Sequence, residues 1–550
     1  MALRVLAVSA PDYPEGRLGS QTLNSSDPAS LFNACRYAAL LAQQGGSAWG
    51  ESNWAVPRLT RRNSVLLMRS WREQRAAYEA LLQEVQPNLL LLGAMTLALP
   101  GAIACARVAR ELFGDRICIV LGGRHASETV YTTPGQPEVQ HHPGSPLRLM
   151  AEGAIPHDFD LVVSGDGECV IAALGELVAE CEKHERPAAL ARRELSSLRE
   201  VPGRWIAGFV EDGRIHTVES QGRQIDRNQL PSPAEMFGVR TAFDVFDGRL
   251  TAHVFSDTGR GCAYDCAFCS ERSSVTGKLE QFSGSPRRLF HQLASAVRVI
   301  GEDSPTRKAS AFVEDSVMLG GSIAAMDELS RFLSEAQLDL RFGAQLTLDQ
   351  ILRSRASLAA LRENGLDYMF IGLETFEPGN IGGMSKDLGH MRGRWISRAE
   401  KALELLASLD IRCGVAVLFG LGETHENRLQ LFEQLQRWRG RFGFPEPISL
   451  NWAVQHPLKG FDGGTGYRYF EWGTPPGPYL DAFQDFGEAS LHYPVAGCAP
   501  PTLEALSELR SAFRELYRDP MPTAAAQPGS LGVVGLTETQ DVRFQAGSKA

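Results

Sequence analysis

Between residues 251 and 458, six short apolar runs recur, and helix-length amphipathic sequence separates each from the next. This alternation constrains the chain most, because repeated strand–helix units bury their apolar faces as a parallel sheet covered by helices. The strand-length runs fall at 252–255, 311–313, 341–345, 368–371, 413–419 and 448–452. Helical spacing fills 286–300, 323–336, 351–364, 395–410 and 428–439. Six units predict a partial (β/α)6 TIM-like barrel, with its working groups at the C-terminal strand ends.

The first 190 residues alternate in the same way. Strands are expected at 5–9, 89–92, 117–121 and 161–163, and helices at 31–43, 72–85, 102–113 and 169–181. Bare apolar runs ending in glycine are what a doubly wound, Rossmann-like sheet requires, and such sheets bind ligands beyond their carboxyl strand ends. With 550 residues the chain exceeds one hydrophobic core. The division expected is an α/β domain at 1–190, a connector at 191–250, the barrel at 251–460 and a capping segment at 461–550. Asp212-Gly213 signals a hairpin inside the connector.

Net charge is −10 and no basic block occurs, which gives no support for nucleic-acid or membrane-surface binding. No apolar stretch reaches 18 residues, and the start reads as a strand, not a signal peptide. A cytoplasmic monomer is the expectation. Seven of the ten cysteines are scattered singly and read as buried small hydrophobes.

The other three stand in Asp257-Thr-Gly-Arg-Gly-Cys262-Ala-Tyr-Asp-Cys266-Ala-Phe-Cys269, directly after the first barrel strand. Three thiolates at spacings of four and three fit one loop around an iron–sulfur cube and leave the fourth iron open. The competing readings are a zinc site or three incidental thiols. Structural zinc takes four ligands, and no second pair with ligand spacing is visible.

This segment resembles the radical S-adenosylmethionine (SAM) superfamily, whose signature is CxxxCxxC with an aromatic before the third cysteine, here Phe268. The resemblance continues through Phe312-Val-Glu314-Asp315, Phe370-Ile-Gly-Leu-Glu374-Thr and Val417-Leu-Phe-Gly420-Leu-Gly422-Glu423-Thr. It implies that Cys262, Cys266 and Cys269 hold a catalytic [4Fe–4S] cluster. It also implies that Phe268, Glu314, Gln345, Glu374, Gly420 and Glu423 line the SAM site. In the family, SAM chelates the open iron and is cleaved to a 5′-deoxyadenosyl radical, with an external flavodoxin or ferredoxin as electron donor.

The N-terminal part resembles the cobalamin-binding domain of the B12-dependent (class B) radical SAM methyltransferases. The matching stretches end at Gly93-Ala-Met-Thr96, Gly122-Gly123-Arg-His125-Ala-Ser127 and Gly165-Asp-Gly167-Glu168. The resemblance implies that Gly93, Thr96, Gly122, Gly123, Ser127, Gly165, Gly167 and Glu168 cradle the cobalamin nucleotide tail. The DxHxxG segment of many cobalamin proteins is absent after the first strand. Cobalt then lacks a protein imidazole, and Arg69 is the candidate for its lower face. The family implies a methyl group passed through methylcobalamin to an unactivated carbon, or a phosphinate phosphorus, of a small natural-product precursor. Within it, the tryptophan 2-C-methyltransferase type of thiopeptide antibiotic biosynthesis is the favoured comparison, with Tyr469 and Trp472 as candidates to stack on an indole. Other readings are a non-methylating cobalamin enzyme that rearranges or cyclises its substrate, a cobalamin-free radical SAM enzyme, and a non-enzymatic carrier.

Overall fold

The computed structural model describes residues 2–11, 32–376, 384–386, 395–453, 477–483, 486 and 501–518, apart from positions 134, 137, 183, 184, 260 and 278. The residues Tyr467, Tyr469, Phe470 and Trp472 lie outside that set, as does most of the expected segment 461–550.

Two sheets organise the chain. The first contains β1 (Val5–Ser9), β2 (Val65–Leu67), β3 (Leu89–Gly93), β4 (Cys118–Gly122), β7 (Leu161–Gly165), β8 (Trp205–Glu211) and β9 (Arg214–Glu219). A small ribbon, β5 (Val130–Tyr131) with β6 (Gln140–His141), stands apart. The order is β2-β1-β3-β4-β7-β8-β9. The first five are parallel, and the β8–β9 hairpin is antiparallel to β7. Reversal of strand order at β1/β3 opens a crevice between their carboxyl ends. β3 and β4 bury both faces, which is why Leu89 to Leu92 and Cys118 to Leu121 read as unbroken apolar runs.

The hairpin corrects the connector reading of residues 205–219. Asp212 and Gly213 both turn with positive φ, as expected for a tight hairpin. However, its first strand pairs with β7, so Trp205 to Glu219 complete the first sheet. Edge strand β2 was missed because three residues are too short to show a period.

The second sheet runs β10 (Leu250–Val254), β11 (Ala309–Val313), β12 (Leu340–Gln345), β13 (Leu366–Glu374), β14 (Arg412–Phe419) and β15 (Ile448–Trp452), parallel and in chain order. This is the partial barrel expected. Helices Ser285–Asp303, Ile323–Ala336, Trp395–Ser408 and His425–Phe442 cover its outside. Their starts are locally encoded: Pro286 stands in the first turn of one, and Ser322 and Thr424 cap two others. The helix expected at 351–364 is two, Leu348–Arg353 and Arg355–Glu363. Thr347 and Gln350 form a capping box that starts the first early, and Ser354 leaves helical geometry between them. Helix Leu503–Glu515 packs on His425–Phe442, where Arg439 lies over the Tyr517 ring at 4.8 Å. Among the described residues, no helix is long and apolar enough to cross a membrane.

Candidate functional site: facing strand ends of two sheets

The cysteine loop leaves the carboxyl end of β10. Its root is fixed by buried polar groups. Ser256 N–H donates to Asp315 Oδ2 at 2.7 Å, and the Gln292 amide donates to Asp257 Oδ2 at 2.7 Å. Asp257 turns with φ 52°, and the chain swings away from the strand. Burial pushes the Asp315 carboxyl up to about 7.

Cys266 is buried, while Cys262 and Cys269 are partly exposed. Cys262 N–H donates to Glu271 O at 2.8 Å and Cys269 N–H to Cys266 O at 3.0 Å, so the loop closes on itself. Gly261 permits this closure. It turns with φ 93°, and a Cβ there would lie 1.9 Å from Thr276 Oγ1. Burial pushes the Cys269 thiol up to about 12 and raises Cys262 in the same direction. Each thiol also senses the charge of its neighbours. Three thiolates gathered here therefore need a cation. Among the described residues, no three His, Cys, Asp or Glu side chains converge on one ion-sized point.

The residues expected around SAM gather at the carboxyl ends of the same sheet. Glu314 follows β11, Gln345 and Glu374 end β12 and β13, and Gly420 and Glu423 follow β14. Phe268 packs against the barrel core. Glu374 sits at a register shift with φ 63°, an unusual backbone for a carboxylate residue at a strand end. Glu423 is buried and spends its oxygens locally. Oε1 accepts from Gly420 N–H at 2.7 Å, Oε2 from Leu421 N–H at 2.8 Å, and Arg428 Nε donates to Oε1 at 2.6 Å. It holds the loop's shape from within.

Three partners escaped sequence reasoning. His253 on β10 meets Glu314 at 2.5 Å, Lys386 meets Glu374 at 2.5 Å, and Arg428 lies over the Trp452 ring at 4.6 Å while holding Glu423. His253 and Lys386 carry no spacing signal, because one comes from another strand and the other from a separate loop, whereas Arg428 stands five residues after Glu423 in the helix that follows the loop.

On the first sheet, Ser9, Gly93 and Gly122 share one row, and Gly165 ends the neighbouring strand. Gly123 turns with φ 95°, and a Cβ would come 2.6 Å from Ala94 O, so the loops after β3 and β4 touch. The Thr96 hydroxyl, expected to reach a ligand, is turned inward. It donates to Glu128 Oε2 at 3.0 Å and lies 3.3 Å from His125 Nδ1. His125 is fully buried, with Nε2 2.9 Å from Gly144 O. The Ser127 hydroxyl accepts from Gly165 N–H at 3.1 Å and ties two strand ends together. Glu168 starts the next helix, is buried, and pairs with Arg227 at 3.1 Å. Arg69 directly follows Met68 at the carboxyl edge of β2 and is half-buried; burial lowers its pKa.

The two strand-end edges face each other. Arg124, just after Gly123, forms an ion pair with Glu271, just after Cys269. Arg36 from the first sheet's helix layer grips Asp257 with two bonds, 2.9 and 3.1 Å, both groups buried. A cavity of about 440 Å³ lies between the edges, lined by Ser127, Gly165 and Asp166 on one side and Thr258, Gly259 and Gly277 on the other.

Residues 257–435 match the Radical SAM superfamily. Hopanoid C-3 methylase of Methylococcus capsulatus (strain Bath) is 22% identical over 370 residues, 67% of this chain. The match spans 62% of that protein, less than two thirds of its length. Among solved structures, the radical S-adenosylmethionine methyltransferase TsrM from Kitasatospora setae, with cobalamin and [4Fe–4S] cluster bound, aligns with a TM-score of 0.53. Identity is 15%, over 98% of this chain and 93% of that one, so the likeness is one of fold.

Proposed function

From the premise that the chain carries a radical SAM domain, we propose that it is a cobalamin-dependent radical SAM methyltransferase acting on an unactivated carbon of a small natural-product precursor. C2 of L-tryptophan is the candidate acceptor. The observation that carries this reading is the Arg124–Glu271 ion pair. It joins the loop after Gly122-Gly123 to the loop of the three cysteines. A corrin held at the first sheet's carboxyl edge would then lie beside the cluster, within reach of the same SAM and acceptor.

The residues fit the groups. Three thiols on one loop suit a [4Fe–4S] cluster, and a tight row of strand-end glycines suits a ligand that must approach backbone closely. When bound, the cluster supplies the electron for SAM cleavage and cobalamin relays the methyl group. Cys262, Cys266 and Cys269 would hold three irons. Glu374, held by Lys386, and the loop shaped by Glu423 would orient SAM. Arg69, half-buried just after β2, would be the cation nearest to hand for holding cobalamin at the first sheet's carboxyl edge. An external flavodoxin or ferredoxin would deliver the electron.

Three measurements test this. After anaerobic reconstitution with iron, sulfide and hydroxocobalamin, the cob(II)alamin EPR spectrum should show no axial-nitrogen splitting. Absence of protein-bound cobalt would remove cobalamin from the reading. With SAM carrying a deuterated methyl group, label should appear in tryptophan. Label in a triterpenoid acceptor instead would retain the methyltransferase and discard the tryptophan assignment. Serine at all three cysteines should abolish SAM cleavage, and retained cleavage would refute the radical SAM chemistry.

A further inference from the structure

Ser385 lies 119 residues from Cys266 in sequence and touches it in space. Its backbone N–H donates to Cys266 Sγ at 3.3 Å. Its hydroxyl accepts from Asp265 N–H at 2.7 Å, which leaves the hydroxyl proton for the same sulfur, 3.6 Å away. The flanking residues fix this placement. Met384 is buried in the barrel core, and Lys386 pairs with Glu374 at 2.5 Å and donates to Gly372 O at 2.6 Å. Cys266 is the most buried of the three cysteines, so a donor from the protein matters more there than at a sulfur water can reach.

We propose that Ser385 is a positioning residue for the cluster, fixing the Cys266 sulfur and favouring the reduced cluster through its N–H and hydroxyl. The inference rests on the radical SAM reading and extends it to a residue outside the cysteine motif. Reduction adds one electron, and much of the new charge falls on sulfur. Hydrogen bonds to cluster sulfurs stabilise that charge and raise the reduction potential. Losing the hydroxyl removes one donor to sulfur and strands the Asp265 N–H, whereas threonine keeps both links.

The test compares the full chain with its Ser385→Ala and Ser385→Thr variants, each reconstituted with iron and sulfide and titrated with dithionite and mediators under EPR. The alanine variant should load its cluster with a more negative midpoint. Poised at the wild-type midpoint, its reduced fraction should be several-fold smaller, and threonine should restore it. An alanine variant with full iron content and the wild-type midpoint overturns the proposal. Should alanine load no cluster, threonine decides: full loading at the wild-type midpoint supports the proposal, and failure to load or a shifted midpoint overturns it. A wild-type chain that takes up no cluster overturns the radical SAM reading itself.

Discussion

At Gly261 any side chain would strike Thr276 and force a left-handed backbone on a residue that resists it. Gly261→Ala should therefore lose most of its iron after reconstitution while keeping the wild-type circular dichroism spectrum; full iron content would contradict this. Glu128 offers a second single-residue prediction. Its buried carboxyl is pushed up to about 8 from an ordinary 4.5. Folding therefore takes up a proton between those values, and this group's contribution to stability falls as pH rises across the window. Glu128→Gln should flatten the decline in melting temperature between about pH 5 and 8, and an unchanged slope would remove Glu128 as its source. At this scale the sequence was partly legible. Gly261 and the cysteines announce themselves through type and spacing. The inward turn of the Thr96 hydroxyl was not legible, because it depends on Glu128 and His125, which stand 32 and 29 residues on, in the helix after β4.

Elements come next, and the loop after β14 is the clearest case. Glu423 closes two backbone N–H groups and Arg428 closes Glu423. Glu423→Ala leaves those donors unsatisfied in a buried turn, at a cost of about 1–3 kcal/mol in loop order. SAM affinity should fall about tenfold or more with cluster content intact, measured by equilibrium dialysis; unchanged affinity would detach this loop from SAM. The start of the first barrel helix was readable because a proline acts locally, as at Pro286, whereas the helix expected from 428 begins earlier, at His425, under the Thr424 cap. The β8–β9 hairpin was readable as a hairpin from Asp212-Gly213. Its place in the first sheet was not, because β7 is its partner by packing, and packing leaves no local mark.

The whole molecule depends on how the two sheets are joined. Arg36 and Asp257 are a buried ion pair across 221 residues of sequence, with Arg36 also bonded to Pro231 O. Removing one partner strands a charge, so Arg36→Met should cost about 3–5 kcal/mol in chemical denaturation. The double variant Arg36→Met/Asp257→Leu should recover much of that loss; no recovery would mean the pair is not the coupling element. The sequence by itself determined two parallel α/β units in order and a cysteine loop at the first barrel strand end, because periodicity, turn residues and ligand spacing are local properties. Only the tertiary structure decided that the two carboxyl edges face each other, that Arg124 reaches Glu271, and that Ser385 lies against Cys266. Those contacts join residues more than a hundred positions apart, and they exist only once both cores have closed and brought the loops together.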